Sequence, residues 1–191
     1  MDPHQHVTFP APIRLEGFGV LLREWRDDDA AALVPVYDDP EIHRWTPVAA
    51  PFDTVAARVY IAAARGKRAS GRGVQLAITT DGTVPLGEVL MFRSTTDARD
   101  VELAYGVGPA HRGRGLASAS VRLATGYVAR HIGPRRVVLR IEAENAASEA
   151  VAAATGFALT DDAPVVRRHK ERKAVLRTWC HEGAAGAGDS G

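Results

Sequence analysis

The 191-residue sequence has one cysteine, Cys180. No disulfide can form within the chain, and no cysteine cluster is available to hold zinc. A run of about 18 apolar residues is also missing, which argues against a membrane-spanning helix. Charge of one sign is not in excess: 24 Lys and Arg stand against 23 Asp and Glu, a formal net charge of +1. A general nucleic-acid binder carries a stronger basic excess, so that class is disfavoured. There is no GxxxxGK[ST] and no GxGxxG, which excludes a P-loop and the dinucleotide fingerprint. The start, MDPHQHVTFP, has no basic segment leading into an apolar one and does not read as a secretory signal. The seven histidines show no metal spacing, so no metal is expected. The expected compartment is the cytoplasm.

What is present is an ordinary globular composition, 46% hydrophobic and 25% charged. Residues 1–12 read as a flexible arm, 13–181 as a single domain, and 182–191 as a disordered Gly/Ala tail. The expected fold class is α/β with a mixed sheet, and the expected order is β-α-α-β-β-β-α-β-α-β-β. Val20 to Trp25 reads as the first strand, followed by a helix over Ala30–Tyr37 that stops near Pro40. A second helix is expected from Asp53 or Thr54 through Arg65, with Gly66 breaking it. Val74–Thr80 alternates as a strand, Asp81-Gly82 signals a turn, and Val84–Phe92 is expected to return antiparallel. Val101–Val107 follows, then a helix over Leu116–Arg130, a strand over Arg136–Ile141, and a helix capped by Asn145. Phe157–Thr160 and Ala174–Trp179 close the list. The run Arg167 to Lys170 reads as a solvated hairpin.

The stretch AHRGRGLASAS, Ala110 to Ser120, carries the strongest chemical signal. It joins a strand end to a helix start, where the first backbone N–H groups lack partners and the positive end of the helix dipole emerges. Gly113 and Gly115, without β-carbons, let a bulky anion approach the main chain, while Arg112 and Arg114 supply charge. The combination suits a diphosphate; a solvated basic turn is the plain alternative.

The segment Arg112-Gly113-Arg114-Gly115-Leu116-Ala117 resembles the acyl-CoA diphosphate motif [RQ]-x-x-G-x-[GA] of the GNAT acetyltransferases. Glu102 to Pro109 is similar to the strand that enters that motif. Asn145-Ala146-Ala147-Ser148, followed by Thr155-Gly156-Phe157, resembles the N-x-x-S…GF signature of the Rim-type branch. The resemblance spans roughly residues 18–180. It implies a mostly antiparallel central sheet with a β-α-β core that binds acyl-CoA, and direct transfer of an acetyl group from acetyl-CoA to an amine. On this resemblance Val107 donates its N–H to the thioester carbonyl, and residues 112–117 with Asn145 bind CoA. Glu102 is the candidate base, its alternative being a carboxylate paired with an arginine. Ser148 is the candidate acid at the CoA sulfur, with Tyr105 a rival. Ser148 can equally be a helix first-turn residue, Asn145 a simple cap, and Tyr105 a packed strand aromatic. Trp25, Glu41, Trp45 to Pro47 and Phe52 fall where the family shapes its acceptor pocket. Ala104 and Gly106 depart from the branch, which often has glycine and an aromatic there, so the acceptor is less defined than the cofactor.

The acceptor is expected to be a protein N-terminus or a small-molecule amine. A non-catalytic acyl-CoA-binding module on the same scaffold is the alternative, and a phosphate or RNA binder a third reading. No nucleic-acid or membrane partner is expected, and a homodimer is left open.

Overall fold

The computed structural model describes residues 9, 12–169 and 172–181. The elements are β1 (Arg14–Gly17), β2 (Val20–Glu24), α1 (Ala30–Tyr37), α2 (Pro40–Trp45), α3 (Thr54–Ala69), β3 (Gly73–Thr79) and β4 (Gly87–Arg93). They continue with β5 (Val101–Val107), α4 (Leu116–His131), β6 (Val137–Glu142), α5 (Ala146–Ala154), β7 (Phe157–Leu159), β8 (Val165–His169) and β9 (Arg172–His181). The strands form one nine-stranded sheet in the order β1-β2-β3-β4-β5-β6-β9-β7, with β8 pairing β9. Every pair is antiparallel except β5–β6. That pair is parallel because α4 carries the chain across between the two strands. The mixed, mostly antiparallel sheet is therefore present as expected.

Strand alternation places an apolar layer on each face. Leu22, Leu76, Ile78, Val89, Met91 and Leu103 pack with Val121 and Val128 of α4. Ala77 on the other face packs with Leu33 and Tyr37 of α1, Ile61 of α3, and Phe52 from the connection between α2 and α3. β3 is buried along its whole length because both faces are covered. Among the described residues no helix is long and apolar enough to cross a membrane.

Several local features differ from the sequence expectation. Pro40 opens α2 instead of only ending α1, because Asp39 caps the new helix by accepting from the Ile42 N–H at 3.1 Å. α3 runs through Gly66 to Ala69. β4 begins at Gly87 rather than Val84, and β1 and β8 are additional strands. Of the proposed N-terminal arm only Phe9 and Pro12 are described, and Phe9 is buried in the core. The proposed tail lies outside the described residues.

At Gly87 the β5 backbone leaves no room for a side chain on β4. A Cβ built there would lie 2.4 Å from the Gly106 carbonyl oxygen and 3.0 Å from Val107 Cα, both backbone atoms that cannot rotate away. Gly87→Ala is expected to cost about 1–3 kcal/mol through this overpacking. The check is a denaturant midpoint; an unshifted midpoint would show that the strands separate freely.

Candidate active site

The site begins where a strand pairing ends. β5 and β6 are joined through Val101↔Val137, Glu102↔Val138 and Leu103↔Leu139. β5 continues to Val107 and β6 to Glu142 without further partners between them, so the two strands splay. The start of the pairing is pinned by Asp100, a fully buried carboxylate that accepts from Arg135 at 2.9 and 2.8 Å and from Arg136 at 3.1 and 3.2 Å.

Beside the splay lies a cavity of about 730 Å³. Its position follows from register. Glu88↔Gly106, Leu90↔Ala104 and Phe92↔Glu102 lie on one sheet face. Tyr37 and Tyr60 from α1 and α3 cover the first pair, and the other two pairs line the cavity. Arg140 and Glu142 of β6 continue the floor, Ala174 and Leu176 of β9 follow, and Trp45 to Pro47 at the end of α2 form part of the wall.

Glu102, Tyr105, Asn145 and Ser148 all line this cavity. Glu102 is buried, and Arg167 of β8 grips it with two 2.7 Å hydrogen bonds, one to each oxygen. Each oxygen keeps a lone pair beyond the one that Arg167 uses. Tyr105 donates from its hydroxyl to the Ser148 carbonyl oxygen at 3.2 Å, bridging the splay from β5 to α5. Burial pushes the Tyr105 hydroxyl up to about 12, so it stays protonated at neutral pH. Asn145 caps α5 by accepting from the Ser148 N–H at 3.1 Å.

Val107 and residues 112–117 do not line the cavity. They lie at the other end of the splay, where β5 leads through a short turn, Pro109–His111, into the start of α4. Arg112, Gly113, Arg114 and Gly115 are exposed there. Gly113 and Gly115 have φ of 72° and 74°, the left-handed region that suits glycine. A Cβ at either position would meet no protein atom within 4 Å, so the space beside this stretch of main chain is open. Arg112 donates from Nε to the Val107 carbonyl oxygen at 3.3 Å, and its other nitrogens reach Asp39 at 2.6 Å and Glu41 at 3.1 Å. Burial works to raise the Asp39 carboxyl, but the hydrogen bond and charge of Arg112 together with the backbone N–H groups of Ile42 and Glu41 outweigh it and hold the group below its ordinary range.

A model of the acetyltransferase (GNAT) domain matches residues 20–158. The chain belongs to the GNAT acetyltransferase family. No curated protein matches this family member by sequence. Among solved structures it is similar to RimJ of Mycobacterium smegmatis in complex with a CoA disulfide, at 22% identity and a TM-score of 0.72, covering 90% of each chain. It is also similar to the ribosomal-protein-S5-alanine acetyltransferase of Vibrio fischeri, at 13% identity and a TM-score of 0.70, covering 90% of this chain and 98% of that one. A third likeness is to the microcin C7 self-immunity acetyltransferase MccE in complex with acetyl-CoA and AMP, at 14% identity and a TM-score of 0.71, covering 86% and 92%. At these identities the likenesses establish the GNAT fold.

Within this GNAT domain the sequence reading missed a buried carboxyl. Glu88 is completely enclosed and receives hydrogen bonds from Tyr37, from Tyr60 at 3.0 and 3.1 Å, and from Gln75 at 2.7 Å. Burial pushes it up to about 7 against the pull of those three donors. The available signal was one acid inside the otherwise apolar strand GEVLMF. Arg167 was read as solvated, yet its guanidinium reaches across to Glu102, and Arg140, also buried beside Glu102, was not singled out at all. Of the aromatics singled out for the acceptor pocket, Trp45 lines the cavity, whereas Trp25 and Phe52 are buried in the core.

Proposed function

We propose that the protein transfers an acetyl group from acetyl-CoA to a primary amine, a protein N-terminus or a small molecule, as a member of the Rim-type branch. The observation that carries this reading is the splay after Leu103↔Leu139, which has an open, glycine-lined helix start at one end and the cavity at the other. In this reading the CoA diphosphate rests on the main-chain amides of residues 112–117. The pantetheine arm occupies the gap beside β5, and the thioester reaches the cavity. The amine attacks the thioester carbonyl from the cavity side, and the Val107 N–H stabilises the oxygen as it gains charge. Glu102 accepts the amine proton. Ser148 or Tyr105 donates a hydrogen bond to the departing thiolate; the Tyr105 hydroxyl, pushed up to about 12, gives that bond without giving up its proton.

The test is calorimetric CoA binding together with thiol release from acetyl-CoA across an amine panel. Replacing Gly113 and Gly115 together by alanine is expected to weaken CoA binding at least about tenfold, since each added methyl fills the ligand's space and forces alanine into a left-handed conformation. Unchanged affinity in that variant overturns the diphosphate assignment. One observation favours the non-catalytic alternative: Arg167 already holds both oxygens of Glu102. Tight CoA binding with no thiol release for any amine decides for that alternative.

A further inference from the structure

The cavity is strongly cationic. Among the described residues Lys67, Arg72, Arg93, Arg140, Arg167 and Arg168 line it, against two carboxylates, Glu102 and Glu142. Both carboxylates already have partners. Arg167 holds Glu102, and Arg172, which does not line the cavity, donates to both oxygens of Glu142. The positive charge is concentrated here, because the whole chain carries a net charge of only +1.

Arg140 is the centre of the imbalance. Its side chain is 3% exposed. Its hydrogen bonds go to neutral hydroxyls, those of Thr178 and Thr96, the latter at 2.7 Å. The Glu102 carboxylate lies 4.0 Å from Arg140 Nε, and that Nε has no hydrogen-bond partner among the described residues. One carboxylate therefore serves two guanidinium groups in a place where water offers little screening. Burial pushes the Arg140 guanidinium down; Glu102 and, less strongly, Asp162 oppose the shift, while the like charges of Arg167 and Arg136 add to it. Such a wall is stabilised by an incoming anion. The CoA diphosphate is not that anion in the reading above, because residues 112–117 lie outside the cavity.

We infer that the acceptor bears an anionic oxyacid group, a carboxylate or a phosphate, besides its amine, and that Arg140 sets this preference. The inference rests on the acetyltransferase reading for the amine, but the charge recognition stands apart from it. The apolar wall of Phe92, Ile141 and Leu176 receives the rest of the molecule.

Matched acceptors test it: short peptides with glutamate or glutamine after the N-terminal residue, phosphoserine or serine in the same place, and a small amino dicarboxylate against its amide. The acidic member of each pair is expected to have a kcat/KM about 10- to 100-fold higher at low salt, the size of a charge-assisted contact. The ratio is expected to fall toward one in Arg140→Gln and to be restored in part in Arg140→Lys, with CoA affinity unchanged. Arg168→Ser, at an exposed rim position, is expected to lower it less and covers the case in which Arg140→Gln fails to fold. Which pairs discriminate tells carboxylate from phosphate and peptide from small molecule. If neutral and acidic acceptors react alike, the inference is overturned while acetyl transfer stands. If no amine reacts, transfer falls, and calorimetry with the N-acetylated acidic and amide peptides decides the anion site alone: a preference for the acid supports it, equal binding overturns it.

Discussion

Glu102→Gln is expected to lose roughly 3–5 kcal/mol of folding stability, in addition to whatever it does to turnover. The reason is what it leaves behind. Arg140 is 3% exposed and Arg167 33% exposed at the side chain, and both face the carboxylate that would be neutralised. Solvent softens the loss at Arg167, but among the described residues Glu102 is the acid that acts most strongly on Arg140, with Asp162 a weaker second. Urea unfolding of wild type and variant, with the slope held constant, measures this. The companion variant Glu102→Gln/Arg167→Met removes one stranded charge and is expected to recover about 1–2 kcal/mol relative to the sum of the single changes. A midpoint equal to wild type would mean that the cavity charges are solvated. Loss of activity in Glu102→Gln therefore carries mechanistic weight only under conditions where the variant is shown to be folded.

Stability is also expected to fall as pH rises through the neutral range because of Glu88. Its carboxyl moves from an ordinary value of 4.5 in the unfolded chain to about 7 in the fold. Between these values the native state holds a proton that the unfolded state has released, so raising the pH favours unfolding. The contribution is fully present below about pH 4.5 and is lost as pH passes 7, a change of roughly 3 kcal/mol. Glu88→Gln cannot titrate, so the difference between the unfolding free energies of the two proteins should drift by about that amount between pH 4.5 and 8. Parallel curves would show that Glu88 is ionised in the native state across that range, as it is in the unfolded chain. The group bears on the site because Tyr37 and Tyr60 donate to it and thereby fasten α1 and α3 over the covered end of the face that holds the cavity.

The parts of this architecture that were legible in the sequence are those encoded locally. Val101–Val107, set off by the turn-like segment before it, matches β5 to the residue, and α4 differs by one residue at its end. Asn145 announced its helix because a cap needs only the next three residues. Where distant chain segments decide, local reading failed. The turn after β3 is wider than an Asp-Gly hairpin because buried Arg23 of β2 binds the Gly82 and Thr83 carbonyls, 59 and 60 residues away. Arg167 looked like part of a solvated charge run, since nothing nearby reveals a carboxylate 65 residues upstream. The same holds for the site. The glycine-arginine turn and the Asn145–Ser148 pair were visible as contiguous motifs. The Tyr37, Tyr60, Gln75 and Glu88 cluster has no motif, because four separate elements contribute one residue each.

Arg112 joins two territories that a diagram of the fold would keep apart. One guanidinium spans the cap residue of α2, a second acid on that helix, and the last carbonyl of β5. Any anion that recruits it at the start of α4 must compete with Asp39 and Glu41, and so loosens their hold on the helix that carries Trp45 to the cavity wall. By thermodynamic reciprocity, a ligand that fixes that helix in place draws on the same guanidinium and changes the affinity at the far end by an equal factor. If ligands bind at both ends of the splay as proposed, Arg112 is the side chain through which their occupancies would be coupled.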